Sequence, residues 1–198
     1  MTLQHQPPES LAVFPLPIFL LPGGATRLRI FEQRYLRMVK EASRGDGFAL
    51  TVLDPNRPES CTPIAAWVSI TDFATLPDGL LSIDVMANQL VELTNIHSEP
   101  DGLRRATITH YPHWPEHGQS LDNQQLATLL ENLFAEHPEL NNLYPAPRWQ
   151  NANWVCARWL ELLPINATSK VGFLAADSFT ECERQLINMV VDKTSCAE

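Results

Sequence analysis

The densest run of groups able to bind a metal or move a proton is HYPHWPEH, which supplies His110, His113, Glu116 and His117. Imidazole and carboxylate suit zinc, and a metal bound there would make the chain a small metal-dependent hydrolase. Pro112 and Pro115 break the helical geometry that would bring such spacings together, so the segment reads more simply as a polar linker. Asp72, Asp78 and Asp84 cluster around one turn and suggest an acid pair. Turn chemistry accounts for Asp78, and strand alternation puts the other two at edges. Cys61 is a nucleophile in type, but nothing near it in sequence supplies a base. The glycines never form a phosphate-cradling GxxxxGK[ST] loop, and neither GxSxG nor HExxH occurs. No catalytic, cofactor-binding or metal-binding residue is therefore assigned, and no cofactor is expected.

Aromatic side chains offer a different chemistry, apolar anchoring of a partner. Trp159 and most other aromatics read as core. Trp67, Phe73, Tyr111 and Trp114 are the candidate polypeptide-binding residues, provided they line an exposed groove. A sheet edge beside Pro15 and Pro17 is a second candidate, because an open edge accepts an extended peptide by strand addition.

These residues must be positioned by two kinds of segment. Leu11–Leu21 is apolar and broken by Pro15 and Pro17, so it belongs at a sheet edge or bend. Pro22-Gly23-Gly24 is a turn, and Thr26–Ile30 alternates as a half-buried strand does. Tyr35, Met38, Val39 and Ala42 then form one face of a helix that ends at Gly45 and Gly47. Phe48–Leu53 is a short buried strand, followed by a loop over Asp54–Pro58. Ile64–Phe73 alternates, with Ala66, Val68 and Ile70 on one face and Trp67, Ser69, Thr71 and Phe73 on the other. Leu76-Pro77-Asp78-Gly79 turns the chain into a hairpin whose second strand carries Leu81, Ile83 and Val85. Two further strands are predicted at Leu90–Ile96 and Arg104–His110.

After residues 111–120 the period becomes helical. Ser120 or Asp122 caps a helix carrying Leu126, Leu129, Leu130 and Leu133. Pro138–Pro147 reads as irregular. Asn153 caps a helix with Val155, Trp159, Leu162 and Leu163 inward, closed by Pro164. A short helix near Thr168–Ala175 precedes a last one, capped by Asp177 or Ser178, with Phe179, Cys182, Leu186, Met189 and Val190 inward. The fold class is α+β: a β-rich unit over 1–115 with one inserted helix, then a helical bundle over 116–198.

At 198 residues with 44% apolar content, the chain can bury a core. A net charge of −9 repels phosphate and argues against nucleic acid or an anionic membrane surface. The one basic cluster, Arg27, Arg29, Arg34, Arg37, Lys40 and Arg44, reads as a solvated face. Four cysteines without CxxC spacing suit reduced thiols in the cytoplasm. Leu11–Leu21 is too short to span a bilayer, and the first ten residues lack the basic start of a secretory signal. The Asn166-Ala167-Thr168 sequon has no role in that compartment.

FPLPIFLLPG followed by RIFEQRYLRMVKEA resembles the start of the Lon protease N-terminal, substrate-recognition domain in its small stand-alone form. WVSITDFATLPDGLLSIDV resembles that family's central hairpin, and the stretch from Ala152 to Val190 its helical half. The likeness runs from about residue 11 to 192. It departs from the family at Met86-Ala87-Asn88-Gln89-Leu90, where a Gly and an Arg-aromatic step are usual, and at Pro63–Ala66, which lacks a Gly-Thr. The resemblance implies a PUA-like pseudobarrel packed on a helical bundle, and a non-enzymatic protein that recognises unfolded or extended polypeptides as an adaptor or holdase, with a protease or chaperone as partner. The ATPase and Ser–Lys peptidase parts of full Lon proteases have no counterpart in these 198 residues. RNA binding is the rival reading, since PUA-like folds often bind RNA.

Overall fold

A computed structural model of the chain describes residues 8–54, 57–118 and 120–195. The chain divides into two compact units, one ending at Tyr111 and the other beginning at Pro112. The first contains β1 (Ser10–Leu16), β2 (Ala25–Ile30), α1 (Gln33–Ala42), β3 (Phe48–Asp54), β4 (Arg57–Thr75), β5 (Leu81–Ser98) and β6 (Arg104–His110). The second contains α2 (Leu121–Glu136), α3 (Pro138–Leu143), α4 (Ala152–Leu162), α5 (Ala167–Lys170) and α6 (Phe179–Ser195), with a 3-10 turn at Val171–Phe173.

Strand pairing in the first unit closes on itself. β1 lies parallel to β3, with Val13 opposite Ala49, and antiparallel to β6, with Val13 opposite Arg104. β3–β4, β4–β5 and β5–β6 are antiparallel and complete the circuit, while β2 attaches to the first half of β5. Each of the five strands in the circuit sends alternate residues into one apolar core. These are Leu11 and Val13, Ala49, Ala65 and Trp67, Val91 and Leu93, and Ala106 and Ile108. Small alanines from three strands make room for the indole of Trp67, as close packing at fixed volume requires.

Trp67 also fixes the end of α1. Its indole N–H donates to the carbonyl of Asp46 at 2.7 Å. Gly47, at φ +67°, passes so near β4 that a Cβ would lie 2.1 Å from the Val68 carbonyl oxygen. Only glycine tolerates both the dihedral and the approach. The predicted helix face holds, with Met38, Val39 and Ala42 buried and the Tyr35 ring packed at a tilt on Phe14, centroids 4.2 Å apart. On its wet side Arg37 pairs with Glu99 and Asp101, and Arg105 with Glu41 and Glu99, tying α1 to the β5–β6 turn.

Three expectations are corrected in this unit. The strand bearing Pro15 is an edge only at its end: β6 flanks it over Ser10–Val13 and β3 over Val13–Leu16, so only the β6 side of Pro15 and Leu16 lacks a strand partner among the described residues. β4 begins at Arg57, which shortens the predicted loop; residues 55 and 56 lie outside the described residues. The segments Leu81–Val85 and Leu90–Ile96 are one strand. Trp67 faces Gln89 and Val68 faces Ala87, so Asn88 is the extra residue of a bulge, its amide donating to the Ser69 hydroxyl at 2.7 Å. Such a bulge bends a strand without ending it. It also breaks the predicted alternation, and Trp67 and Val68 are both buried.

In the helical unit α2, α4 and α6 pack pairwise. Ser120 caps α2, its hydroxyl accepting the Asn123 N–H at 3.1 Å. Leu126, Leu130 and Phe134 form the buried stripe. The Trp159 indole donates to the Leu126 carbonyl at 2.9 Å, and Asn123 to Glu183, which locks α2 to α4 and to α6. Asn151, not Asn153, caps α4, accepting the Trp154 N–H at 2.7 Å. Leu162, predicted inward, is exposed. Residues Pro138–Leu143, predicted irregular, form a helix whose first position is proline, where the missing N–H costs nothing.

Candidate functional site

The first unit leaves a sheet edge open. β4 pairs with β3 only as far as Val68 opposite Phe48. Residues 69–75 of β4 pair with β5 alone, from Ser69 opposite Met86 to Thr75 opposite Leu81. Their other side carries main-chain donors and acceptors without a strand partner among the described residues. Thr71, Asp72, Phe73, Ala74 and Thr75 are all exposed. Phe73, 50% exposed, stands opposite Ile83, which in turn faces Leu28 on β2. An exposed ring beside an open edge is the arrangement that strand addition uses: main-chain hydrogen bonds give affinity, and a side-chain contact gives selectivity.

Electrostatics shape this edge. Asp72 stands opposite Asp84, a like-charged cross-strand pair that is unfavourable by itself. Arg27 offsets it through a bidentate pair with Asp84 at 2.6 and 2.7 Å. The hydrogen bond to Asp84 raises the pKa of that guanidinium further. Arg29 pairs with Asp78 at the hairpin turn, and Arg34 with Glu32 at 2.6 Å. Four arginines of the basic cluster are thus already matched with carboxylates of their own unit.

The four aromatic candidates separate. Phe73 is exposed and Tyr111 half-buried. Trp67, 3% exposed, lies inside the ring of strands. Trp114 is buried in the helical unit, its indole N–H within 3.0 Å of both the Phe173 carbonyl and the Ser178 hydroxyl. Neither tryptophan presents its ring to a partner: both are buried, and each indole N–H, cut off from water, is met by an internal acceptor. Phe31, 67% exposed just past β2, is a further exposed ring that no periodicity in the sequence marks.

The histidine segment is built into the helical unit. His113 stacks on Trp114 at 4.4 Å and His117 on Phe179 at 3.9 Å. Burial pushes the His113 pKa down to about 4. Asn153 holds the segment, donating to the Pro115 carbonyl at 2.7 Å and accepting the His117 N–H at 3.1 Å. Among the described residues, no three His, Cys, Asp or Glu side chains converge as metal ligands would. No described helix is long and apolar enough to cross a membrane. Burial pushes the Cys156 thiol up, and that of Cys182 up to about 12, so both are protonated at neutral pH.

Comparison with known proteins agrees with this architecture. A Lon N-terminal domain protein from Xanthomonas campestris is similar over 90% of this chain and 97% of its own, at 26% identity and a TM-score of 0.70. The N-terminal domain of a Mycobacterium avium complex Lon protease shares the fold at 14% identity, with a TM-score of 0.60 over 90% of this chain and 96% of that one. No curated protein matches the chain. The substrate-binding domain of ATP-dependent protease La (Lon) matches residues 10–187, and the chain is a member of that family.

Proposed function

We propose that this chain is a polypeptide-recognition protein that makes and breaks no covalent bond, and that it acts as an adaptor or holdase for unfolded chains. One observation carries the reading: a member of the Lon substrate-binding family has an open, exposed sheet edge at residues 69–75 of β4 with Phe73 beside it. An extended segment adds to that edge as a further strand, and an apolar side chain of the segment packs on Phe73. The closed circuit of pairings around the β1–β6 core supports reading the first unit as a PUA-like pseudobarrel. It also explains why recognition falls on β4, since a closed circuit leaves few edges open.

Fluorescence anisotropy of a labelled, permanently unfolded polypeptide against the purified protein tests the proposal. Binding in the micromolar range is expected. Phe73→Lys, which removes the anchor and places a charge on the edge, should weaken it at least tenfold while leaving the thermal midpoint unchanged. Absence of binding at tens of micromolar, or equal binding by Phe73→Lys, would refute the edge. Affinity for RNA that falls steeply with salt would favour the nucleic-acid reading instead.

A further inference from the structure

Arg104 and Arg105 are neighbours on β6 and point to opposite faces of it. Arg105, on the outer face, is matched by Glu41 and Glu99 at 2.6 and 3.0 Å. Arg104 follows the inward parity of Ala106 and Ile108, opposite Val13. It is half-buried, its Nη1 nitrogen is buried without a hydrogen-bond partner, and no described carboxylate pairs with it.

The neighbours of Arg104 form a polar layer that closes one end of the ring core. Thr51 lies two residues beyond Ala49 on the same face of β3 and is buried. Its hydroxyl donates to the Thr62 carbonyl at 2.9 Å and lies 3.0 Å from the Thr62 hydroxyl. Cys61 packs against the same core from β4, its thiol within reach of both Arg104 and Thr51. The pairing of β1 with β6 stops at Val13, so Pro15 and Leu16 stand without a β6 partner beside Arg104. Pro17, Ile96, His97 and Ser98 around this end are exposed.

We infer that this end of the strand ring is a carboxylate-binding site in which Arg104 is the charged donor and the Cys61 thiol and Thr62 hydroxyl are neutral neighbours. A planar carboxylate matches the guanidinium fork. A dianionic phosphate fits less well in a chain of net charge −9. The carboxylate comes either from a small organic acid or from the C-terminus of a polypeptide. The inference stands apart from the β4 edge, since Phe73 is on the other half of that strand.

Three probes distinguish the sources: a short N-acetylated peptide with a free C-terminal carboxylate, the same peptide as its amide, and sodium acetate. Two readouts apply, the amide resonances of residues 103–105 and the rate of Cys61 alkylation in a Cys196→Ser background. The free-acid peptide should shift those resonances and slow alkylation about tenfold at saturation, while the amide does neither. Acetate matching the peptide at equal concentration identifies a small-acid site; acetate acting only at much higher concentration identifies a chain terminus. Arg104→Met keeps the apolar stem and should abolish the response. Arg104→Lys, which loses the fork, should weaken it severalfold and serves if the Met variant does not fold. Phe73→Lys should leave it unchanged. Equal effects of acid and amide, no effect of any probe, or a full response in the Arg104 variants would overturn the assignment.

Discussion

The carboxylate of Asp72 accepts the backbone N–H of Phe73 at 2.8 Å, on the stretch of β4 whose outer side has no strand partner among the described residues. The side chain thereby covers a main-chain donor that an incoming strand would need. Edge strands left uncovered pair with other chains, and a charged residue folded back on its own backbone prevents this. Asp72→Ala removes both the cover and the like charge facing Asp84. A net hydrogen bond is worth about 1 kcal/mol, so affinity for an unfolded polypeptide should rise about fivefold. Light scattering should show more self-association. Unchanged affinity and scattering would mean that the edge is not used.

Gly47 is a position where the fold of the first unit leaves no room for a side chain. Alanine there meets both a positive φ and a carbonyl oxygen 2.1 Å from its Cβ. Gly47→Ala should cost about 3 kcal/mol or more, read as a lowered urea midpoint. Gly45, at φ +113° with nothing within 4 Å of a Cβ, supplies the control. Gly45→Ala carries only the dihedral strain, and should cost about half as much.

Much of this architecture was legible in the chain because local signals and tertiary packing agree. Met38, Val39 and Ala42 mark a helix face, Leu76-Pro77-Asp78-Gly79 marks a turn, and both are found in place. The failures share a cause in long-range partners. Asn88 looks like a break between two strands, and only Ser69 across the ladder makes it a bulge. Asn153 looks like a cap, but its amide holds the Pro115 carbonyl and Asn151 does the capping. Trp67 reads as an anchor until Asp46 is found accepting its N–H. At the candidate site Phe73 is readable as an exposed aromatic. The open edge beside it is not, because it depends on where β3 stops pairing.

His113 makes the helical unit sensitive to mild acid. Above pH 6.5 the ring is neutral in both folded and unfolded chains. As the pH falls, the unfolded chain takes a proton near 6.5, whereas the buried ring resists until about 4. Stability is therefore lost across that window, by about 3 kcal/mol at most. His113→Phe preserves the stack on Trp114 and removes the proton site. Urea titrations followed by tryptophan fluorescence at pH 7.5, 5.5 and 4.5 should show a shallower decline for the variant. Parallel curves would assign the acid sensitivity to other groups.

Arg158 is 1% exposed on α4 and pairs with Glu161 through two contacts of 2.7 Å. Its guanidinium lies 5.4 Å from the Trp154 ring centroid and 5.7 Å from that of Tyr144. Those rings belong to an aromatic cluster with Phe134 and Trp149. Glu161 supplies the carboxylate that neutralises a buried guanidinium, so Glu161→Leu should cost about 3–5 kcal/mol. Removing both charges avoids that penalty. Arg158→Met with Glu161→Leu should be less destabilising than Glu161→Leu alone, a coupling that additive contacts cannot produce. If the double variant were instead as unstable as the two single losses summed, the ion pair would be contributing to the stability of α4 beyond what packing replaces.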